Sequence, residues 1–252
     1  MTLSVTEIYR HPIKAHGVEA LKSVALATGK CLPWDRVWAV VEEGRALDAN
    51  APEWVSCRNF TRGAKVPELM AITAEVNEMA GTILLTHPRA GSITFDPSND
   101  DSIAAFIAWS KPLTPANRMA PTALYSAPNV GLTDSNWPSV SINLHSSLQA
   151  LEAQADASLS PLRFRGNIWL NGEKPWQEFD WVGKEIRIGS VRLEVRERIE
   201  RCLATTANPD TGQRDVDTLK ALKTGWGHQD FGVKAYVLQA GTITLNDQVE
   251  IL

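Results

Sequence analysis

The chain has 252 residues, 44% of them apolar and 21% charged, and a formal net charge of −4, which is enough apolar material for one large or two modest domains. The mildly acidic net charge does not indicate a nucleic-acid-binding surface. No apolar run approaches the length of a membrane span, and the first residues lack the basic start and apolar core of a signal sequence. We therefore expect a soluble, cytoplasmic protein that binds neither nucleic acid nor membranes.

The first half of the chain predicts short strands separated by turns rather than long helices. Its apolar or alternating runs, broken by Gly- and Pro-containing stretches, are Val5 to Ile8, Val18 to Leu26, Val37 to Val41 and Thr82 to Leu85. This spacing predicts a β-barrel-like unit. Lys14, Arg36 and Arg58 stand out within it, although on pattern alone each is typical of a solvated surface charge.

A helix and a proline-rich break close this first unit. The run Ser98-Asn99-Asp100-Asp101 offers a cap and an acidic first turn, and predicts a helix through Trp109. The Lys-Pro-Leu-Thr-Pro run at 111–115 then ends the helix. We place the division between two units here, at 1–110 and 111–252, with a sheet shared between them as the alternative to a true linker.

The second unit opens with a predicted strand from Val140 to Leu144 and a helix in which Ser146 and Gln149 form a capping-box pattern. In the run Leu-Arg-Phe-Arg-Gly-Asn at 162–167, alternation predicts a strand with Arg163, Arg165 and Asn167 on one side. We interpret the tryptophans at 176 and 181 as packing residues, and the histidines at 11 and 16 as structural or surface groups.

A two-residue hairpin leads to the most distinctive stretch of the chain. The Gly-Ser pair at 189–190 predicts a turn that places Ile188 opposite Val191 and Ile186 opposite Leu193, so that one face is wholly apolar. This strand leads toward Cys202, and the turn at 208–212 follows. His228, in a flexible loop that could border a pocket, is a candidate proton donor. The stretch 242–251 predicts a closing hairpin around Asn246-Asp247.

The residues around Cys202 allow two interpretations of its thiol. Three arginines, Arg196, Arg198 and Arg201, favour the thiolate, which is both a nucleophile and a soft metal ligand. A lone cysteine is also often a small buried hydrophobe. With only three cysteines, the chain has neither a disulfide framework nor the four thiolates of an iron–sulfur cluster, so electrons for any redox reaction must come from elsewhere.

The run R-C-L-A-T-T-A-N-P-D-T-G at 201–212 resembles the R-C-x-x-T-T-x-D-P-D-T-G signature of the MOSC family, which includes molybdenum-cofactor sulfurase C-terminal domains and the mitochondrial amidoxime-reducing component. In that family the cysteine is a thiolate ligand of molybdenum in a pterin-dithiolene cofactor. The resemblance therefore implies that Cys202 is a metal ligand and the catalytic residue. Asn208 stands where the family usually has Asp, which we interpret as a turn substitution.

Further motifs extend the resemblance over both halves of the chain. H-P-I-K-A and D-R-V-W-A-V-V resemble the family's Y-P-[IV]-K-S and G-D-R-x-W-x-[LV]-V, with Ala15 in place of Ser, and R-F-R-G-N-I resembles R-F-R-P-N-[IL], with Gly166 in place of Pro. Arg58 and Ser147 match less securely. The cofactor-binding set that the resemblance implies is Lys14, Arg36, Arg58, Ser147, Arg165, Asn167, Arg201 and Cys202, and forked Arg donors and a Lys point charge suit anionic groups.

The resemblance implies a mixed, β-rich α+β fold in which an N-terminal β-barrel-like domain packs on a MOSC-type β-barrel with peripheral helices. It also implies a molybdenum-cofactor oxidoreductase that reduces N-oxygenated small molecules with electrons from a separate donor protein. A carrier of the cofactor, or of sulfur as a persulfide on Cys202, is the alternative. Some family members are associated with pyridoxal phosphate, and we find no domain of that type in this sequence, which counts against a complete sulfurase. A degenerate fold with an inert thiol is the third hypothesis.

Overall fold

The structure, a computed structural model, describes residues 3–48 and 51–252. It is β-rich with a few helices, so the expected mixed fold is confirmed. The strands are β1 Val5–Arg10, β2 Glu19–Leu21, β3 Ser23–Leu26, β4 Trp38–Glu42, β5 Thr73–Asn77, β6 Thr82–His87, β7 Gly91–Phe95, β8 Pro121–Ser126, β9 Val140–Leu144, β10 Ile168–Leu170, β11 Glu185–Ile188, β12 Val191–Glu200, β13 Asp230–Gln239, β14 Gly241–Thr244 and β15 Val249–Ile251. The α-helices are α1 Asp100–Ser110, α2 His145–Ala155 and α3 Thr218–Trp226.

The two halves of the chain share their sheets. The largest sheet has the linear order β15-β11-β12-β13-β9-β10-β1-β2, so the two N-terminal strands complete a sheet built mainly from the C-terminal half. In the same way β3 pairs with β14, and β8 returns to pair with β4. The connection after residue 110 therefore does not separate two independent hydrogen-bonded units, and the division placed there stays a prediction.

The predicted hairpin at 189–190 is confirmed, including its register. Ile188 pairs with Val191 and Ile186 with Leu193, and all four side chains are fully buried. Because side chains alternate across a strand, a shift of one residue would turn this apolar set toward solvent, which is why the pattern determined the pairing. β12 then continues to Glu200, two residues before Cys202.

Hydrophobic packing explains why the strands cross between the halves. Residues before position 33, such as Val5, Ile8 and Val24, belong to the same core cluster as the C-terminal strands. A second cluster, between Ile13 and Leu113, fills the space between α1 and the β5–β7 sheet. The predicted helix α1 is confirmed, and the Asn99 side chain accepts a hydrogen bond from the Ser102 amide at 2.9 Å.

Three local predictions are wrong. Residues Pro161–Phe164 form a 3-10 turn rather than a strand, because Arg165 takes a left-handed conformation with φ +47°, and the strand begins only at Ile168. Ser146 does not cap α2; its hydroxyl donates to the carbonyl of Lys174. The last two strands do not form a hairpin with each other, because β14 pairs with β3 and β15 with β11.

No helix within residues 3–48 and 51–252 combines the length and apolar character that crossing a membrane would require.

Candidate functional site

A cavity of about 230 Å³ lies where the two halves meet, and Cys202 lines it. Seven lysine or arginine residues but only two acidic residues line the cavity, although the whole chain carries a net charge of −4. Four of these cations are paired with carboxylates: Lys14 with Asp134, Arg36 with Asp35, Arg163 with Asp215 and Lys234 with Glu197. Cations still outnumber carboxylates around the cavity, which favours an anionic ligand. The charged lining residues are Lys14, Arg36, Arg62, Arg163, Arg165, Arg201, Lys234, Asp134 and Glu200.

Lys14 and Arg36, two residues of the cofactor-binding set that the resemblance implied, reach the cavity from the N-terminal half, and their binding role stays a prediction. The Lys14 ammonium donates to the Leu132 carbonyl at 2.8 Å and to the Asp134 carboxylate at 2.7 Å. Arg36 forms an ion pair with Asp35 and donates to the carbonyl of Arg165 at 2.6 Å. These contacts fix both cations at the cavity wall before any ligand binds.

Three non-glycine residues of the cavity wall have left-handed backbones: Ala15 at φ +65°, Arg36 at +52° and Arg165 at +47°. Each such residue costs about 1–2 kcal/mol relative to an ordinary backbone, and glycine would adopt the conformation without that cost. Strain of this kind is concentrated at functional sites, where the surrounding structure enforces it. Two of these strained positions therefore carry arginine, where glycine would adopt the same backbone at lower cost.

Arg165 is held in a position where its charge is poorly compensated. Its guanidinium donates to the carbonyls of Ile13 at 3.3 Å and Gly17 at 3.1 Å, which fix its direction but carry no net charge. Burial, together with the nearby charge of Arg36, lowers the pKa of Arg165 from 12.5 to about 9. A bound anion would relieve both effects, because an opposite charge stabilises a buried cation.

Two arginines of the cavity also carry unused hydrogen-bond donors. The Nε atoms of Arg62 and Arg163 are buried and have no hydrogen-bond partner among the residues that the structure describes. A buried donor without a partner costs about 1–3 kcal/mol, so such atoms indicate a missing acceptor. Two unsatisfied guanidinium donors, a cationic wall and a thiol together fit a ligand with anionic oxygens and a metal that prefers sulfur.

Arg62, rather than the predicted Arg58, is the arginine of this segment that reaches the cavity. Arg58 lies in the 3-10 turn Cys57–Asn59 with its side chain exposed, and it does not line the cavity. Arg62 follows four residues later and donates to the Cys57 sulfur at 3.4 Å. At the neighbouring Gly63 a Cβ atom would lie 2.6 Å from the Met70 sulfur, a close approach that the sequence alone does not show.

Cys202 is exposed and lines the cavity, so the hypothesis of a buried core thiol is wrong. It lies between the end of β12 and the 3-10 turn Leu203–Thr206. The Thr205 amide and hydroxyl both donate to the Cys202 carbonyl at 3.2 Å, so the backbone there is held by bonds in which the sulfur takes no part. Arg163 holds the same loop through the Thr205 carbonyl at 3.5 Å.

The turn at 208–212 anchors this loop on the N-terminal half. Gly212, with φ +69°, lies so close to Glu68 that a Cβ atom would be 2.7 Å from the Glu68 Cα. Asn208 accepts from the Asp210 amide at 2.8 Å, as a turn aspartate would, and its amide also donates to Asp215 at 2.9 Å. The predicted turn substitution is therefore structurally consistent, and it adds a bond that aspartate could not make.

Several predicted site residues are used elsewhere. Ser147 is fully buried and donates to Glu178 at 2.9 Å, so it does not reach the cavity. Asn167 lines the cavity, but its side chain accepts from Ser141 at 2.9 Å and donates to the Tyr9 carbonyl at 3.2 Å. His228 packs edge-on against Trp176 and is not part of the cavity lining.

Arg201 lines the cavity but uses its guanidinium within the protein. Its nitrogens donate to the carbonyls of Phe231 at 2.8 Å and Phe164 at 2.7 Å, and to the Asn143 side chain at 2.9 Å. Burial lowers the pKa of Arg201 to about 9. Its contribution to the cavity is therefore a fixed charge and a fixed backbone rather than free donors.

Residues 2–117 match the family described as MOSC N-terminal beta barrel domain, and residues 135–250 match the MOSC domain. The chain belongs to the MOSC family. Among curated relatives, the MOSC chain is 30% identical over 118 residues to mitochondrial amidoxime-reducing component 1 of Mus musculus, covering 42% of this chain and 34% of that protein. It is 39% identical over 61 residues to molybdenum cofactor sulfurase of Homo sapiens, covering 24% of this chain and 7% of that protein.

The match thus spans about a third or less of the length of these curated relatives. Among solved structures, the YUAD protein from Bacillus subtilis superposes with a TM-score of 0.48 at 11% identity, covering 100% of this chain and 96% of that one.

Proposed function

We propose that this MOSC protein binds the molybdenum cofactor in the cavity at Cys202 and reduces N-oxygenated small molecules with electrons from a separate donor protein. The observation that carries the proposal is one exposed thiol in a cavity lined by seven cationic residues from both halves of the chain. Support comes from relatives named for amidoxime reduction and for molybdenum cofactor sulfuration. A cytoplasmic location remains part of the prediction.

The donor set fits such a group. Cys202 would supply a thiolate, a ligand suited to a soft metal centre. The unsatisfied Nε donors of Arg62 and Arg163, together with Arg36 and Arg165, would hold the anionic oxygens of a phosphate-bearing pterin. When bound, the cofactor would supply the redox chemistry that removes oxygen from the substrate nitrogen.

The protein's own contribution is positioning and charge. The Lys14–Asp134 pair and the Arg36–Arg165 contact fix cations at the wall, so little reorganisation accompanies binding. The carbonyl of Cys202 accepts from the Thr205 amide at 3.2 Å, which directs the sulfur into the cavity without using it. A site prepared in this way binds an anion at lower entropic cost than a mobile one.

A second candidate function is a carrier of the cofactor, or of sulfur as a persulfide on Cys202. The exposure of Cys202 favours it, because a transferable sulfur must be reachable from outside. The similarity to a molybdenum cofactor sulfurase over 61 residues points in the same direction.

Purification from cells able to make the cofactor, followed by metal analysis and an assay with a hydroxylamine-type substrate and an artificial electron donor, tests these alternatives. Molybdenum with turnover supports the reductase. Molybdenum without turnover under several donors favours the carrier, and a persulfide on Cys202 without metal favours sulfur transfer. Normal turnover in Cys202→Ala refutes the ligand role. Arg62→Ala should reduce bound molybdenum, while Arg58→Ala, which removes an exposed arginine of the same segment, should not.

A further inference from the structure

We propose that Asn143, an amide that the sequence motifs do not mark, is a positioning residue that holds Arg201 and thereby fixes the strand end that presents Cys202. Asn143 lies in β9 and is fully buried. Its Oδ1 accepts from the Arg201 guanidinium at 2.9 Å. The inference rests on the proposed role of Cys202, but the contact itself does not depend on any cofactor.

Two glycines create the space that Asn143 occupies. A Cβ atom at Gly166 would lie 1.7 Å from the Asn143 Nδ2, and one at Gly232 would lie 2.0 Å from its Oδ1. No side chain larger than hydrogen fits at either position while the amide is present. Gly166 does not have a positive φ, so its backbone alone would accept alanine. The closest obstacle to a Cβ atom at 166 is therefore the amide of Asn143, and the Trp169 indole nitrogen follows at 3.0 Å.

This arrangement connects three segments that meet behind the cavity. Through its three acceptors, the Arg201 guanidinium binds β9 at Asn143, β13 at Phe231 and the turn before Arg165 at Phe164. Asn143 is the one side chain among these acceptors, since the other two are backbone carbonyls. Removing its oxygen would leave a buried guanidinium N–H without a partner, and the strand end carrying Cys202 would lose one of its fixed points.

Asn143→Leu and Asn143→Asp separate the acceptor from the shape. Leucine has similar size and no acceptor, whereas aspartate keeps an oxygen for Arg201. Hydrogen exchange of residues 201–207 is measured on cofactor-free protein, with α1 as the internal reference. We expect roughly tenfold faster exchange at 201–207 in the leucine variant, unchanged exchange in α1, and protection close to the original with aspartate. Unchanged exchange at 201–207 with leucine would overturn the inference.

A double-mutant cycle keeps the inference testable if the leucine variant does not fold. Gly166→Ala should lower the thermal midpoint markedly, because its Cβ displaces the Asn143 amide. In the Asn143→Ala background, more than half of that loss should disappear. Equal losses in both backgrounds would contradict the proposed fit.

Bound molybdenum provides a readout that a purely structural role would not change. At a temperature at which both variants are fully folded, the leucine variant should retain less molybdenum per protein molecule than the aspartate variant. Equal retention would show that Asn143 acts on stability alone and overturn its positioning role. If the unsubstituted protein binds no molybdenum while the exchange result holds, the proposed function fails and the positioning of the Cys202 segment stands.

Discussion

Arg165 offers a direct test of the claim that its side chain is retained for binding at the expense of the backbone. Its φ of +47° lies in the left-handed region, where alanine costs about 1–2 kcal/mol and glycine almost nothing. Arg165→Ala and Arg165→Gly remove the same guanidinium and the same hydrogen bonds to Ile13 and Gly17. The two variants should therefore differ mainly in backbone strain.

We expect Arg165→Gly to be more stable than Arg165→Ala by about 1 kcal/mol, which is the strain relieved less the greater flexibility of glycine in the unfolded chain. For a chain of this size that difference is roughly 2–4 °C in the thermal midpoint. Urea unfolding at matched slopes measures it. An alanine variant as stable as the glycine variant would refute the left-handed strain.

The same pair tests the function of the guanidinium. Both variants should lose bound molybdenum to a similar extent, because neither can bind an anion at this position. Retention by the glycine variant at the level of the unsubstituted protein would show that the charge of Arg165 is dispensable and that the strain has another cause.

Three further predictions concern the surrounding structure. Burial raises the pKa of Glu178 from 4.5 to about 7. Its contribution to stability is therefore full below about pH 4.5 and falls by about 3 kcal/mol as the pH rises from there through 7. The difference in urea-unfolding free energy between the original protein and Glu178→Gln should follow this curve, and a difference that does not change with pH would contradict it. Gly212→Ala should lower the free energy of unfolding by at least about 2 kcal/mol, because it combines φ +69° with a contact to the Glu68 backbone. Thermal unfolding measures this loss, and a smaller loss would contradict the expectation. Asn208→Asp places two carboxylates together at Asp215 and should cost up to about 1 kcal/mol in low salt and less in high salt, whereas a salt-independent change would exclude repulsion as the cause.

Local sequence patterns were sufficient where short-range geometry decides the structure. The hairpin at 189–190 was predicted with its register because side-chain alternation allows one pairing that buries Ile186, Ile188, Val191 and Leu193 together. The capped helix α1 and the strand that ends near Cys202 follow from signals of the same kind. The match of residues 201–212 to a family signature identified the thiol, which spacing alone could not distinguish from a core cysteine.

The sequence could not show which polar side chains already have hydrogen-bond partners in the folded protein. Asn167 and Arg201 have the residue types of ligand-binding groups, yet carbonyls and side chains from distant strands satisfy them. Arg62 and Arg163 keep buried Nε donors that have no partner among the described residues. The family resemblance implied Arg58 rather than Arg62, and it did not place Arg163 in the cofactor-binding set.

The sequence by itself thus determined the strand that ends at the thiol, the turn that follows it and the family. Only the tertiary structure decided that both halves share one sheet and that seven cations converge on one cavity. The physical reason is range: alternation and turn chemistry depend on neighbours a few residues away, whereas the free or satisfied state of a donor depends on strands far away in the sequence.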